Sequence, residues 1–294
     1  MNEDQFRHAE LLRGAFNEYL LRLYDSTANS HEPPLNYEFD FIERGSWSGL
    51  SASMVKCDLR ELTNLVNRWS FLLWRWRTWT LVLEGREELE RWGLSREFLD
   101  SIVHECLLLP ASMRDTITWV ATSAFHQVRL NTEPTYRDHL EGEPETAEER
   151  TKPLNRRQKE KRLSRMLKIW PSSKKFLKAL GEINSKDYIK ETSNYRNFTA
   201  HTIGPRIGIG HTRTVTRYLE PARALKQVGD GTYVYEILPS ELTVSYGIGG
   251  MPPLDLEAVF AANLVEYEKA RSCYLEYRAL LETAVAEIVP LNKE

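Results

Sequence analysis

The sequence predicts a mainly α protein, an antiparallel helical bundle with a small antiparallel β insertion before its last helix. Two observations lead there. Apolar residues recur at helical spacing along most of the 294 positions, and one stretch, 214–246, switches to β-branched and aromatic runs. Hydrophobic residues at 41% and charged residues at 28% suit a folded chain, which sets aside wholesale disorder and fibrous repeats.

The elements follow in order. Leu11, Leu12, Phe16, Tyr19, Leu20 and Leu23 put residues 4–25 on an amphipathic helix that stops near Asn29. Pro33 and Pro34 lead into Tyr37, Phe39 and Phe41, which alternate with Glu38 and Asp40 and predict a short strand or extended arm within 33–50. Gly45 and Gly49 mark a loop. Helical character returns over 55–91, and Ser95 is a candidate N-cap for a second long helix over 96–129. Pro110 should kink or divide that helix, because proline lacks an amide donor and crowds the preceding turn.

Residues 132–153 hold Pro134, Gly142, Pro144 and Pro153 among several glutamates and read as a mobile acidic loop or linker. The chain thus divides into an N-terminal helical part, 1–131, that linker, and a second part, 154–294. In the second part, 155–169 is a basic helix, 174–180 a short one ending at Gly181, and Ser185 and Ser193 are candidate caps. Beyond Gly210, the runs 214–218, 232–238 and 242–246 are strands divided by turns at Asp230-Gly231 and Pro239-Ser240. Pro252 and Pro253 close the insertion, and a long helix over 256–288 buries Tyr267, Tyr274, Leu275 and Leu281.

Cys57, Cys106 and Cys273 are far apart, with no Cys-x-x-Cys pair and no zinc-type His spacing, which predicts reduced thiols. Met1 to Gln5 lacks the regions of a signal peptide, so a cytoplasmic location is expected. The most apolar stretch, 69–83, is interrupted by Arg75 and Arg77 and is shorter than a span of about 20 residues, so no membrane association is expected. Its tryptophans, Trp69, Trp74, Trp76 and Trp79, could stack bases, but their spacing points to core packing. His104, Glu105 and His126 lie on apolar helices and read as satisfied interior groups. No glycine-rich phosphate loop, serine elbow or carboxylate pair is present, so no cofactor is expected.

The segment Arg196-Asn197-Phe198-Thr199-Ala200-His201 is the candidate site. Asn197 and His201 are four apart, so on a helix they share a face where the amide can orient the imidazole. Arg196 lies on an adjacent face, but its long stem and forked guanidinium suit a phosphate. Histidine can donate or accept a proton near neutrality. Together these groups could act on a phosphodiester without a metal. The competing reading is that Asn-x-x-x-His is a polar cap or a buried hydrogen bond. Arg206 to His211 has identical spacing, but its Ile-Gly-Ile-Gly interior is a poor helix and it is discounted.

The net charge of −3 is uninformative, but its distribution is uneven. Arg156, Arg157, Lys159, Lys161 and Arg162 precede the motif and could collect the phosphates of an RNA, although such a run is more often a solvated helix face.

At the motif the chain resembles the HEPN superfamily, helical-bundle proteins that include many metal-independent ribonucleases. The likeness rests on Arg196, polar Asn197 and His201, with Tyr195 before them, and covers residues 154–203. The β insertion departs from that family's compact bundle. The resemblance implies a homodimer in which the arginines and histidines of two protomers converge and cleave RNA through its 2′-hydroxyl, leaving a cyclic phosphate. Arg196 would bind phosphate, His201 would move protons, Asn197 would position the imidazole and Tyr195 would contact substrate. Such proteins commonly act as toxins or antiviral effectors, which brings an antitoxin or sensor protein into view as a partner. The alternative is a non-catalytic module that dimerises or binds a nucleotide or partner; a third reading is that the insertion, with Tyr233, Tyr235 and Tyr246, is the recognition surface for an antitoxin or sensor.

Overall fold

The computed structural model describes residues 2–24, 33–146 and 148–288. Ten α-helices and one two-stranded sheet make the chain mainly α among these residues. The helices are α1 (Glu3–Leu23), α2 (Asp40–Glu43), α3 (Ser51–Leu83), α4 (Glu88–Leu94), α5 (Asp100–Thr132), α6 (Arg156–Met166), α7 (Ser173–Glu182), α8 (Lys186–Glu191), α9 (Tyr195–His201) and α10 (Leu256–Val285). The strands are β1 (Val215–Gly229) and β2 (Thr232–Ile248). The described residues form two compact units, one drawn from 2–192 with 257–288 and one of 193–256.

The first unit is built on α3, α5 and α10. Ser51 bonds Gln127 at 2.7 Å and Ser123 donates to Asp58 at 3.0 Å, so α3 and α5 run antiparallel. Thr63 meets the Tyr274 hydroxyl at 2.7 Å and Trp76 packs edge-on against Phe260, so α10 also opposes α3 and runs alongside α5. Trp69, Trp76 and Trp79 are buried, as their spacing predicted, whereas Trp74 is only half-buried. Tyr19, Trp79 and Phe98 stack with successive centroids 4.5 Å apart and clamp α1 to the core. Leu275 differs from its expected burial and is 46% exposed, because it lies about 100° around the helix from buried Tyr274.

Pro110 does not divide α5. Its missing amide leaves the Cys106 carbonyl without its usual partner four residues on. The Asn263 amide fills that place from α10, donating to the Cys106 oxygen at 2.7 Å and to the Tyr188 hydroxyl at 3.0 Å. The same side chain accepts the Trp69 indole N–H at 2.8 Å, while Tyr188 donates to the Leu107 oxygen at 3.1 Å. One buried amide therefore ties α3, α5, α8 and α10 together, and burial pushes the Tyr188 hydroxyl's pKa up.

Ser95 is not a cap either. Its backbone is helical (φ −60°, ψ −47°), and a π-helical turn over Ser95–Leu99 carries the chain from α4 into α5. The arm near Phe39 enters a one-turn helix that buries Phe41 and Ile42, instead of continuing as a strand. The end of the predicted first helix near Asn29 lies outside the described residues. The acidic segment after α5 is tied down: buried His126 bonds the Tyr136 hydroxyl at 3.0 Å and Asp138 at 2.8 Å, and Glu141 pairs with Arg165. The three cysteines are free thiols; Cys106 and Cys273 are buried, and desolvation raises their pKa. No helix among the described residues is long and apolar enough to cross a membrane.

In the second unit, β1 and β2 form one long antiparallel ribbon turning at Asp230-Gly231, where Gly231 takes φ +78°. Three strands were expected, but Pro239-Ser240-Glu241 is a bulge in β2, not a turn. Pro221 pairs with Leu242 and Ala222 with Leu238, so three residues are extruded and the proline escapes the ladder bonds it cannot make.

Candidate functional site

The motif occupies the seven-residue helix α9. Ser185 caps α8 as predicted, accepting from the Tyr188 amide at 3.2 Å. Ser193 does not cap α9. It and Asn194 both adopt left-handed backbone, at φ 48° and 53°, and Asn194 is the N-cap without a side-chain bond. Two successive non-glycine residues in that region are uncommon and end the preceding helix before the motif.

At the other end the Thr202 amide bonds the Phe198 carbonyl at 2.7 Å, and the chain then folds back at Gly204. A β-carbon at Gly204 would stand 2.4 Å from the Thr199 hydroxyl oxygen, on a stiff β-branched side chain of the motif. Gly204→Ala is therefore expected to loosen α9 by about 1–3 kcal/mol. Faster amide exchange over residues 195–202 would register the effect, and adding Thr199→Ala should reverse it.

Arg196, Asn197 and His201 are all exposed. No hydrogen bond joins the Asn197 amide to the His201 imidazole, although helical spacing places them one turn apart. Tyr195 is buried, at 5% exposure, so its ring is not offered to a ligand at the surface. The Arg213 guanidinium lies over the Phe198 ring at 5.5 Å, a contact the sequence reading missed. A signal for it was present: between Glu191 and Glu220 the chain carries four arginines and two histidines and no carboxylate. That stretch is net positive, and Arg213 is the member of it that lies against α9. The discounted Arg206 to His211 segment is not helical; Gly208 and Gly210 take positive φ within it, and Ile207 bridges to Leu254.

The basic run divides. On α6, Arg156 forks onto Asp115 at 2.7 and 2.8 Å, and Arg162 donates to the Glu141 carbonyl at 2.7 Å. Glu160 on the same helix takes both arms of Arg114, at 2.7 and 3.0 Å. Arg156 and Arg162 thus serve the first unit's own architecture. Arg157, Lys159 and Lys161 remain exposed and without an ion pair among the described residues. Among those residues no group of three or more His, Cys, Asp or Glu could hold a metal ion.

Comparison with protein-family models, with curated proteins and with solved structures gives no match for this chain.

Proposed function

We propose that this chain is a metal-independent endoribonuclease that acts as a cytoplasmic homodimer, in the role of a toxin or anti-phage effector held in check by an antitoxin or sensor protein. One observation carries the reading: Arg196 and His201 stand exposed on a single short helix, within a stretch that holds no carboxylate to compete for a phosphate. Arg196 neutralises charge building on phosphorus. His201 moves the protons as the ribose 2′-hydroxyl bonds to phosphorus and the 5′-oxygen leaves with a proton, giving a cyclic phosphate. Asn197, one turn before His201, orients the imidazole once the second protomer and the RNA are in place. Arg157, Lys159 and Lys161 are the cations of the basic run that remain for RNA phosphates.

The test is cleavage of transfer RNA, ribosomal RNA and RNA from phage-infected cells by the purified protein with EDTA present. His201→Ala should lower cleavage at least about 100-fold. Cleavage that never depends on His201, across all three substrates, would overturn the assignment.

A second reading, a non-catalytic module that dimerises or binds a nucleotide or partner, is favoured by the buried Tyr195 and the unmade Asn197–His201 bond. Nucleotide binding that Arg196→Ala abolishes, with no cleavage, is its expected signature.

A further inference from the structure

The two faces of the ribbon differ. Directly opposed residues of an antiparallel pair project to the same side. Val215 with Ile248, Leu219 with Val244, and Leu225 with Tyr235 therefore share one face, continued by Arg223 with Ile237. The other face carries Tyr218 with Ser245, Glu220 with Thr243, and Ala224 with Glu236. The apolar face is the uncovered one: Leu225 is 61% exposed, Tyr235 70%, Ile237 59% and Ile248 94%, whereas Glu220, Ala222 and Ala224 opposite are half-buried. The opposite face is mixed, since Tyr218 and Val234 on it are exposed too, at 45% each. A ribbon of two strands is marginal unless its apolar side is packed on something.

We propose that a second copy of this chain covers that face, with the two ribbons packed head to tail about a two-fold axis near Pro221 and Leu242. Size fits first. Fifteen residues of β1 span about 45 Å, and with a width of about 12 Å the face offers about 550 Å², approaching the ~800 Å² per partner of a standard interface.

Charge fits next. The only charged residues on the face are Arg217 and Arg223, and Arg223 already reaches back to Glu220 at 3.7 Å. Head-to-tail pairing about Pro221 sets Arg217 against Leu225 and Tyr235 of the second copy, where a guanidinium can lie on the phenol ring. It also sets the two Arg217 side chains about 26 Å apart; Arg223 of the second copy comes within about 7 Å of Arg217 but keeps Glu220 as its own counter-charge, whereas parallel pairing would stack Arg217 on Arg217. A two-fold axis makes the contact of Arg217 with Leu225 and Tyr235 twice.

The pairing is read from the ribbon alone, so chain mass and RNA cleavage report separately on the two proposals. Sedimentation or light scattering at micromolar concentration should give twice the 34.2 kDa chain mass. Leu225→Glu and Tyr235→Glu should each return it to one chain mass, with unchanged far-ultraviolet dichroism from the helical bundle. Ala224→Glu, on the other face, should leave the dimer intact. Pro221→Cys, made together with Cys57→Ser to remove the exposed native thiol, should cross-link into a disulfide dimer on mild oxidation. A monomeric wild type, including one that instead captures a different protein through this face, overturns the proposal. So does a dimer indifferent to Leu225→Glu and Tyr235→Glu, or absence of the Pro221→Cys cross-link.

Discussion

Asn263→Leu is expected to destabilise the first unit by about 3–5 kcal/mol, enough to lower the thermal midpoint by many degrees. Leucine keeps the branched outline of asparagine, although its methyl groups are bulkier and add some overpacking, so the main loss is the polar bonds. The amide makes three bonds in a place with 0% exposure: it accepts from the Trp69 indole and donates to the Cys106 carbonyl and the Tyr188 hydroxyl. Leucine removes all three together and leaves a buried N–H and a buried carbonyl without partners, each costing about 1–3 kcal/mol. A double-mutant cycle separates this account from simple loss of contacts. With Pro110→Ala the α5 amide is restored and can serve the Cys106 carbonyl, so Asn263→Leu should cost clearly less in that background. Equal costs in the two backgrounds, measured by denaturant unfolding, would contradict the exchange of partners.

Mixing inactive protomers is expected to recover cleavage. If Arg196 of one chain works with His201 of another, then Arg196→Ala and His201→Ala are each inactive alone, but a mixed dimer rebuilds one complete pair. Half of the dimers in an equimolar mixture carry one of two sites, so about a quarter of wild-type activity should return. A cis site would give none. The geometry motivates the experiment: Arg196 and His201 are five residues apart and occupy different faces of α9, so one helix cannot direct both at a single phosphate from the same side. Adding the Leu225→Glu substitution to both chains of the mixture connects the two proposals, since recovery should vanish if the ribbon holds the dimer.

Much of the bundle was legible because its signals are local. The run from Leu11 to Leu23 fixes α1, and the tryptophan spacing in α3 fixes its buried side, since both depend only on 3.6-residue periodicity. The misreadings share a different cause. Pro110 was expected to kink or divide α5; the helix is undivided, and nothing near it in sequence shows that Asn263 would take over the lost bond. Pro239 read as a turn because proline cannot donate to a ladder, yet a bulge satisfies the same constraint. Arg156 looked available for RNA because Asp115, its partner, lies 41 positions away. For the motif, helical spacing was legible and the helix formed, but exposure and the left-handed backbone at Ser193-Asn194 depend on how the chain enters and leaves it.

The exchange of partners at Pro110 also bears on synthesis. When α3 and α5 have left the ribosome, the Cys106 carbonyl and the Trp69 indole are still unmatched, and both wait for Asn263, 157 and 194 positions further along the chain. The nascent bundle cannot close until the whole ribbon has been translated and α10 has followed it. Vectorial synthesis thereby makes the last helix a checkpoint: a chain truncated before Asn263 carries the complete motif and ribbon on a core that has not been sealed.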